Sequence, residues 1–319
     1  MKLQTQVPLQ RAEHQFDYQN QLLLLGSCFV ENIGKKLEYH KFRSLQNPFG
    51  ILFHPKAIEN LLSKSIQDFN YTSEDIFYRN ERWHCFDAHS DLSDVSKEEL
   101  VRKLNDGLKD TRHQISESSH IILTLGTAWV YLNKATNLGV ASCHKVPQTE
   151  FSKELLSVDD IVTSLENSIG VIKSANAKAK IIFTVSPVRH LKDGFVENQR
   201  SKAHLITAIN HVLDDNVTLS AVEGYFPSYE IMMDELRDYR FYKTDMVHPN
   251  DLAIDYIWER FKSVWISNDA FSTMDKVVEI QLGLRHRPFN PDSEEHQKFL
   301  NSLNTKIQAL QNEYPFMKF

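Results

Sequence analysis

The sequence has no long hydrophobic run. Its longest mostly apolar stretch, from Ile121 to Leu132, is too short and too polar to span a bilayer, which takes roughly 20 apolar residues. The amino terminus, Met1-Lys2-Leu3-Gln4-Thr5-Gln6-Val7-Pro8, lacks the apolar core of a signal peptide. There is no excess of positive charge. Lys and Arg number 36 against 42 Asp and Glu, the net charge is −6, and the two signs are interspersed. That leaves no electrostatic footprint for nucleic acid and no polybasic patch for a membrane. Cysteine is scarce: Cys28, Cys85 and Cys143 are an odd number at wide spacing. They exclude a disulfide framework and a zinc ribbon, and suit free thiols in a reducing compartment. No internal repeat or low-complexity tract interrupts the chain. The expectation is a soluble cytoplasmic protein whose 41% hydrophobic residues can build a proper core.

What is present is an alternation of short apolar runs with helix-like stretches. Leu22 to Leu25, His120 to Gly126 and Lys180 to Val185 read as buried strands, with a shorter one expected at Val217 to Leu219. Helices are expected from Val30 to Leu37, Ser96 to Ser118, Val158 to Lys173, Asn198 to Leu213 and Asp251 to Trp265. Ser96 followed by Glu99 reads as a capping box. This order implies an α/β fold with a mostly parallel sheet covered by helices on both faces. Beyond about residue 267 come a helix around Thr273 to Leu284, a breaker at Pro288-Phe289-Asn290-Pro291, and an amphipathic helix from Ser293 to Asn312. We read residues 1–266 as one main domain and 267–319 as a C-terminal helical extension.

In such sheets ligands bind at the carboxyl ends of the strands. The polar motifs fall there: Gly26-Ser27, Gly126-Thr127, Ser186-Pro187 and the loop Asp245-Met246-Val247-His248. Serine, histidine and aspartate are what a nucleophilic acyl-transfer site needs. A serine hydroxyl is a poor nucleophile until a base takes its proton, and histidine titrates in the useful range. Asp245, three residues before His248, can accept the imidazole Nδ1–H and leave Nε2 facing Ser27. Pro249 suits the first position of a helix, which would hold His248 at a rigid start. Taken singly, Ser27 reads more readily as a helix cap than as a nucleophile, and Asp245 with His248 reads equally as a surface helix cap. Together, in this order, they point to catalysis.

The residues also resemble a known family. Gly26-Ser27-Cys28-Phe29-Val30 is similar to the signature that names the GSCFA family, whose last position is usually alanine. The resemblance extends through Asn47-Pro48-Phe49-Gly50, Leu125-Gly126-Thr127-Ala128-Trp129-Val130-Tyr131, Cys143-His144-Lys145, Ser186-Pro187-Val188-Arg189-His190, and Tyr225 to Glu230 on to His248-Pro249. It implies a three-layer α/β/α, flavodoxin-like sheet of the SGNH hydrolase kind and a serine esterase mechanism. Catalysis would then fall to Ser27, Asp245 and His248. SGNH enzymes usually complete the oxyanion hole with an asparagine from a Gly-x-Asn segment. Here the corresponding place reads Gly126-Thr127-Ala128, so the asparagine is missing. Ser27 N–H is the first donor expected, with Asn47, Gly50, Gly126 and Thr127 as candidates for the rest. Asn47 to Gly50 also reads simply as a turn.

Other residues carry weaker signals. Cys143-His144 and Arg189-His190 fit no usual zinc spacing, so no metal and no cofactor is expected. Arg189 could meet an anionic or carbonyl group of a substrate, or pair with a local carboxylate. Cys28 is available as a nucleophile, yet one step past the turn its side chain is expected to point into the core. Tyr78, Trp83 and Phe86 are candidate walls of a pocket or members of the core. The resulting expectation is an ester hydrolase or acyltransferase acting through an acyl-enzyme on a small-molecule or carbohydrate ester. An O-acetylated sugar leads among substrates by analogy with SGNH relatives. The alternative is a non-catalytic binding module that keeps the fold without an adequate oxyanion hole.

Overall fold

The computed structural model describes residues 4–214 and 222–319. In chain order the strands are β1 (Gln21–Gly26), β2 (Arg43–Gln46), β3 (Phe77–Arg79), β4 (Arg82–His84), β5 (His120–Leu125), β6 (Trp129–Asn133), β7 (Leu138–Val140), β8 (Phe151–Leu155), β9 (Lys180–Val185) and β10 (Val222–Phe226). The helices are α1 (Phe29–Tyr39), α2 (Pro55–Ile66), α3 (Lys97–Glu117), α4 (Val158–Ala175), α5 (Phe195–Asp214), a single turn α6 (Ser228–Glu230), α7 (Asp251–Trp265), α8 (Phe271–Arg285) and α9 (Glu294–Glu313).

Five strands form one sheet in the order β10-β9-β5-β1-β2, and every pairing is parallel. The chain moves from β1 outward to β2, then crosses back to β5 and on to β9 and β10. This is the flavodoxin-like order, with its switch point between β1 and β5. The short strand expected at Val217 to Leu219 lies outside the described residues, and the edge of the sheet is β10.

Period-two alternation explains why the strands read as unbroken apolar runs. Leu23, Leu25, Ile121, Leu123, Ile181 and Phe183 pack against the layer of α2, α3, α4 and α5. Their neighbours Leu22, Leu24, Ile122 and Ile182 face α1, α7, α8 and α9. Both faces are covered, so both sets must be apolar. The carboxyl-terminal helices belong to the second layer: Met274, Val277, Leu303 and Leu310 are buried in one cluster with Tyr18, Leu22 and Phe29.

Local signals behave as their chemistry dictates, with two corrections. Ser96 Oγ accepts from the Glu99 N–H, but the Ser96 N–H donates to Asp94 Oδ1 at 2.9 Å, so only half of the expected capping box forms. The complete box is at α4, between Ser157 and Asp160. At α7 the cap is Asn250, whose Oδ1 accepts from the Ala253 N–H at 3.1 Å. Pro249 therefore precedes the helix instead of starting it, and sits in an isolated bridge with Tyr242.

Candidate active site

β1 ends at the switch point, and Gly26 turns the chain there with φ of +135°. Any side chain at this position would overlap the Thr124 carbonyl oxygen on β5. The turn delivers Ser27 to the start of α1 at 0% exposure. The Phe29 N–H donates to Ser27 Oγ at a long 3.4 Å, so the hydroxyl sits at the positive end of the helix dipole. Cys28, expected in the core, is instead half-buried and lines the cavity beside the site. The turn at Gly26 gives Ser27 the buried position and leaves Cys28 facing outward. Burial raises the Cys28 thiol pKa above its ordinary value, a change that nearby Lys202 partly opposes.

The Asp245 to His248 loop is organised by its own side chains. Asp245 Oδ1 accepts the N–H groups of Val247 at 2.8 Å and His248 at 3.0 Å, while Oδ2 lies 2.7 Å from His248 Nδ1. These bonds pull the Asp245 carboxyl down to about 2, with the two backbone N–H groups as the largest causes. Because Oδ2 accepts at Nδ1, the imidazole leaves its Nε2 free of that contact. Met246, at the tip, has φ of +57°. Arg189 holds the loop from the side: its N–H donates to the Val247 carbonyl at 3.2 Å and its guanidinium to the Met246 carbonyl. The guanidinium also lies 4.5 Å from the Tyr242 ring centroid. The arginine read as a substrate partner is thus engaged with the loop that carries His248.

Asp245, His248, Cys28, Thr127 and Arg189 line one cavity of about 650 Å³ at the carboxyl edge of the sheet. Its apolar walls come from Ile51, Phe53, Trp129, Tyr131 and Val140. The last three belong to the antiparallel sheet β7-β6-β8, which sequence patterning did not reveal. Tyr78, Trp83 and Phe86 do not line it: Tyr78 is 58% exposed and packs on Trp83, and Phe86 stacks on Phe77. No hydrogen bond joins Ser27 Oγ to His248 among the described residues.

The expected backbone oxyanion donors already have partners. Ser27 N–H donates to the Thr124 carbonyl at 3.0 Å, and Gly126 and Thr127 N–H both donate to the Phe53 carbonyl at 2.8 and 2.9 Å. Thr127 Oγ1 is tied to Ser201 Oγ at 3.0 Å and accepts from the Trp129 N–H. Gly50 N–H closes a turn onto the Asn47 carbonyl at 2.8 Å, and its φ of +71° explains the glycine. Asn47 differs. Its Oδ1 accepts from the Gly26 N–H at 2.9 Å, which fixes the amide orientation, and its Nδ2 is buried without a partner.

One side chain escaped the sequence reading, and a second, His190, is weighed there only as a metal ligand. Lys202, on the buried stripe of α5, is 1% exposed and donates to the carbonyls of Gly126 at 2.8 Å and Ser186 at 2.7 Å. It ties the ends of β5 and β9 together, and burial lowers its pKa to about 7. The signal available was a lysine in register with Asn198, Leu205 and Ile209 on a helix face that should be apolar. His190 follows β9, its N–H donates to Asn198 Oδ1 at 2.9 Å, and its Nε2 is buried without a partner. Burial, then the charge of Lys202 and the nearby His248, push its pKa down to about 3.

Among the described residues no group of three or more His, Cys, Asp or Glu is arranged to hold a metal ion, and no helix is long and apolar enough to cross a membrane. The fold and the edge cavity define an α/β protein of the doubly wound class with an aspartate-oriented histidine at the carboxyl edge of its sheet. The chain belongs to the GSCFA family, whose profile matches residues 21–261, and the profile of the GSCFA domain protein C-terminal domain matches residues 277–319. No curated protein matches it. Solved structures to which it is similar include an acetyl esterase mutant with acetate ion (TM-score 0.36, 10% identity) and a carbohydrate esterase family 3 protein from Talaromyces cellulolyticus (TM-score 0.35, 8% identity). Each alignment covers 82% of this chain and 99% of the other. Similarity at that level carries no argument about chemistry.

Proposed function

We propose that this protein is a serine ester hydrolase or acyltransferase in which Ser27 is the nucleophile, His248 the general base and Asp245 its orienting carboxylate. The observation that carries the reading is the 2.7 Å contact between Asp245 Oδ2 and His248 Nδ1 in the lining of a cavity that also takes in Cys28, the residue next to Ser27. Ser27 Oγ would bond to the ester carbonyl carbon as its proton passes to His248 Nε2 and the carbonyl π pair moves to oxygen. Collapse expels the alcohol, which takes that proton from His248 and leaves Ser27 acylated. Water, or a second alcohol, then repeats the sequence in reverse. Asn47 Nδ2, an unpartnered donor anchored one residue before the nucleophile, is suited to the developing oxyanion. Trp129 and Tyr131 offer flat apolar faces to a small acyl ester or an O-acetylated sugar.

Two observations favour a second reading, a binding module. Ser27 is fully buried, and its N–H, like those of Gly126 and Thr127, is bonded to a backbone carbonyl. Fluorophosphonate labelling read by mass spectrometry separates the two. The hydrolase reading expects an adduct on Ser27 that is lost in Ser27→Ala, together with turnover of a small aryl acetate. Absence of both adduct and turnover would establish the binding module. Turnover that persists in Ser27→Ala would move the nucleophile to Cys28.

A further inference from the structure

We infer that His190 donates its Nε2–H to the oxyanion, taking the place of the missing middle-strand asparagine; the inference rests on the serine-esterase reading above. Three observations carry it. The first is position. A Cβ built on Gly126 would lie 3.1 Å from Ser27 Cβ and 3.3 Å from His190 Nε2, so the two side chains bracket one point at the end of β5. Glycine at 126 is what keeps the space between them open. The second is valence. His190 Nε2 is buried and has no hydrogen-bond partner, and a buried polar atom left unpaired is costly. An acceptor that arrives with substrate removes that cost. The backbone amides that might have served are bonded to Thr124 and Phe53 instead.

The third is rigidity and charge. The His190 backbone is pinned by Asn198, and its ring meets the Phe53 ring edge-on at 5.7 Å and 86°. The charged and titratable groups facing it are Lys202 and His248, and both oppose a second positive charge on the ring. The imidazole therefore stays neutral through the working range, which makes it a poor base for Ser27 but a fixed donor. A neutral imidazole can polarise a carbonyl in this way. His248 keeps the proton-transfer role, so the two histidines divide the work. His248 Nε2 takes the Ser27 proton, and His190 Nε2–H donates a hydrogen bond to the carbonyl oxygen onto which the π electron pair moves.

The test combines ring ¹⁵N NMR of histidine-labelled protein with kinetics. The resting protein should hold its His190 proton on Nε2, and that proton should move downfield when a fluorophosphonate occupies Ser27. His190→Ala should lower kcat for an aryl acetate by about 10²–10³-fold with KM nearly unchanged. His190→Asn and His190→Gln, which retain an N–H donor, should recover part of the loss. The shape of the pH profile should not change. A Ser27 adduct with the His190 proton on Nδ1, or with no downfield movement, overturns the inference alone. Absence of any Ser27 adduct overturns the serine-esterase reading and the inference with it. Should His190→Ala fail to fold, wild-type NMR and the Asn variant decide.

Discussion

The end of β1, which lies behind Cys28 in the cavity wall, and the Asp245 to His248 loop, which lines the same cavity, are held in place by opposite means. At the end of β1 the constraints that fix the turn are chiefly long-range, beside the local bonds from the Phe29 and Val30 N–H groups to Ser27. Gly26 and Ser27 bond to Asn47 and Thr124, residues far off in sequence, and the segment is buried between two sheet neighbours. The loop is held chiefly by itself: Asp245 accepts from residues two and three ahead, and its side chain is 47% exposed. One half of the site is fixed by the core of the fold and the other by local chemistry on the surface. Changes to the backbone turn at Gly26 should therefore appear as lost stability, and changes in the loop as lost turnover.

The largest expected effects break the comparison into its halves. Gly26→Ala forces a side chain into the Thr124 carbonyl at a φ that L residues avoid, and should destabilise the protein by on the order of 3–4 kcal/mol. His248→Ala should lower turnover by about 10⁴-fold or more while shifting the urea midpoint little. Urea midpoints and kcat for both variants check this. A Gly26→Ala protein of normal stability would show that the turn is not constrained by β5.

The same division explains what was legible in the sequence. Asp245 with His248 could be read because the contact spans three residues, within reach of local spacing. The strands could be read because burial on both faces makes Leu22 to Leu25 and Ile121 to Leu123 apolar without interruption. Trp129 to Asn133 was hidden: one short antiparallel strand with a single fully buried residue, Val130, has too little pattern to separate from a loop. The oxyanion donors were misjudged for a related reason. Gly126 and Thr127 stand where donors are expected, but only the path of Phe53 across the strand end reveals that its carbonyl accepts both N–H groups. Lys202 and His190 take their meaning from what faces them, and no spacing encodes that.

Arg189 connects the two halves and sharpens the comparison. It follows β9, which the core fixes, and it grips the loop through the Met246 and Val247 carbonyls. Arg189→Ala keeps the backbone bond to Val247 but loses the guanidinium contact and its packing on Tyr242. Turnover should fall about 10-fold through a misplaced His248, with a stability cost near 1 kcal/mol. Lysine should not restore it, since a point charge does not reproduce a planar group held against an aromatic ring. Hydrogen exchange across residues 243–248 should quicken in the variant. Unchanged exchange, with turnover lost, would show that Arg189 acts on substrate and not on the loop.

The smallest effect places the two halves on different parts of the pH scale. Asp245 has its carboxyl pKa lowered from 3.8 to about 2 by the N–H groups of His248 and Val247 and by the imidazole. Between those values the unfolded chain binds the proton and the folded one does not, so folding gains stability as pH rises. The contribution is complete above about pH 4 and is lost as pH falls toward 2. Solvent screening of this half-exposed group keeps it below about 1 kcal/mol. His190, part-buried in the cavity wall, is depressed from 6.5 to about 3 by desolvation, and a histidine held neutral likewise loses stability as pH falls, but starting near 6.5. Urea midpoints of wild type and Asp245→Asn from pH 3 to 7 resolve the two. Both proteins should weaken together below about pH 6.5, and the gap between them should close only below about pH 4. A gap that is constant across the range would mean the Asp245 carboxylate makes no charge-dependent bond in the folded loop, and the orienting role assigned to it would fall.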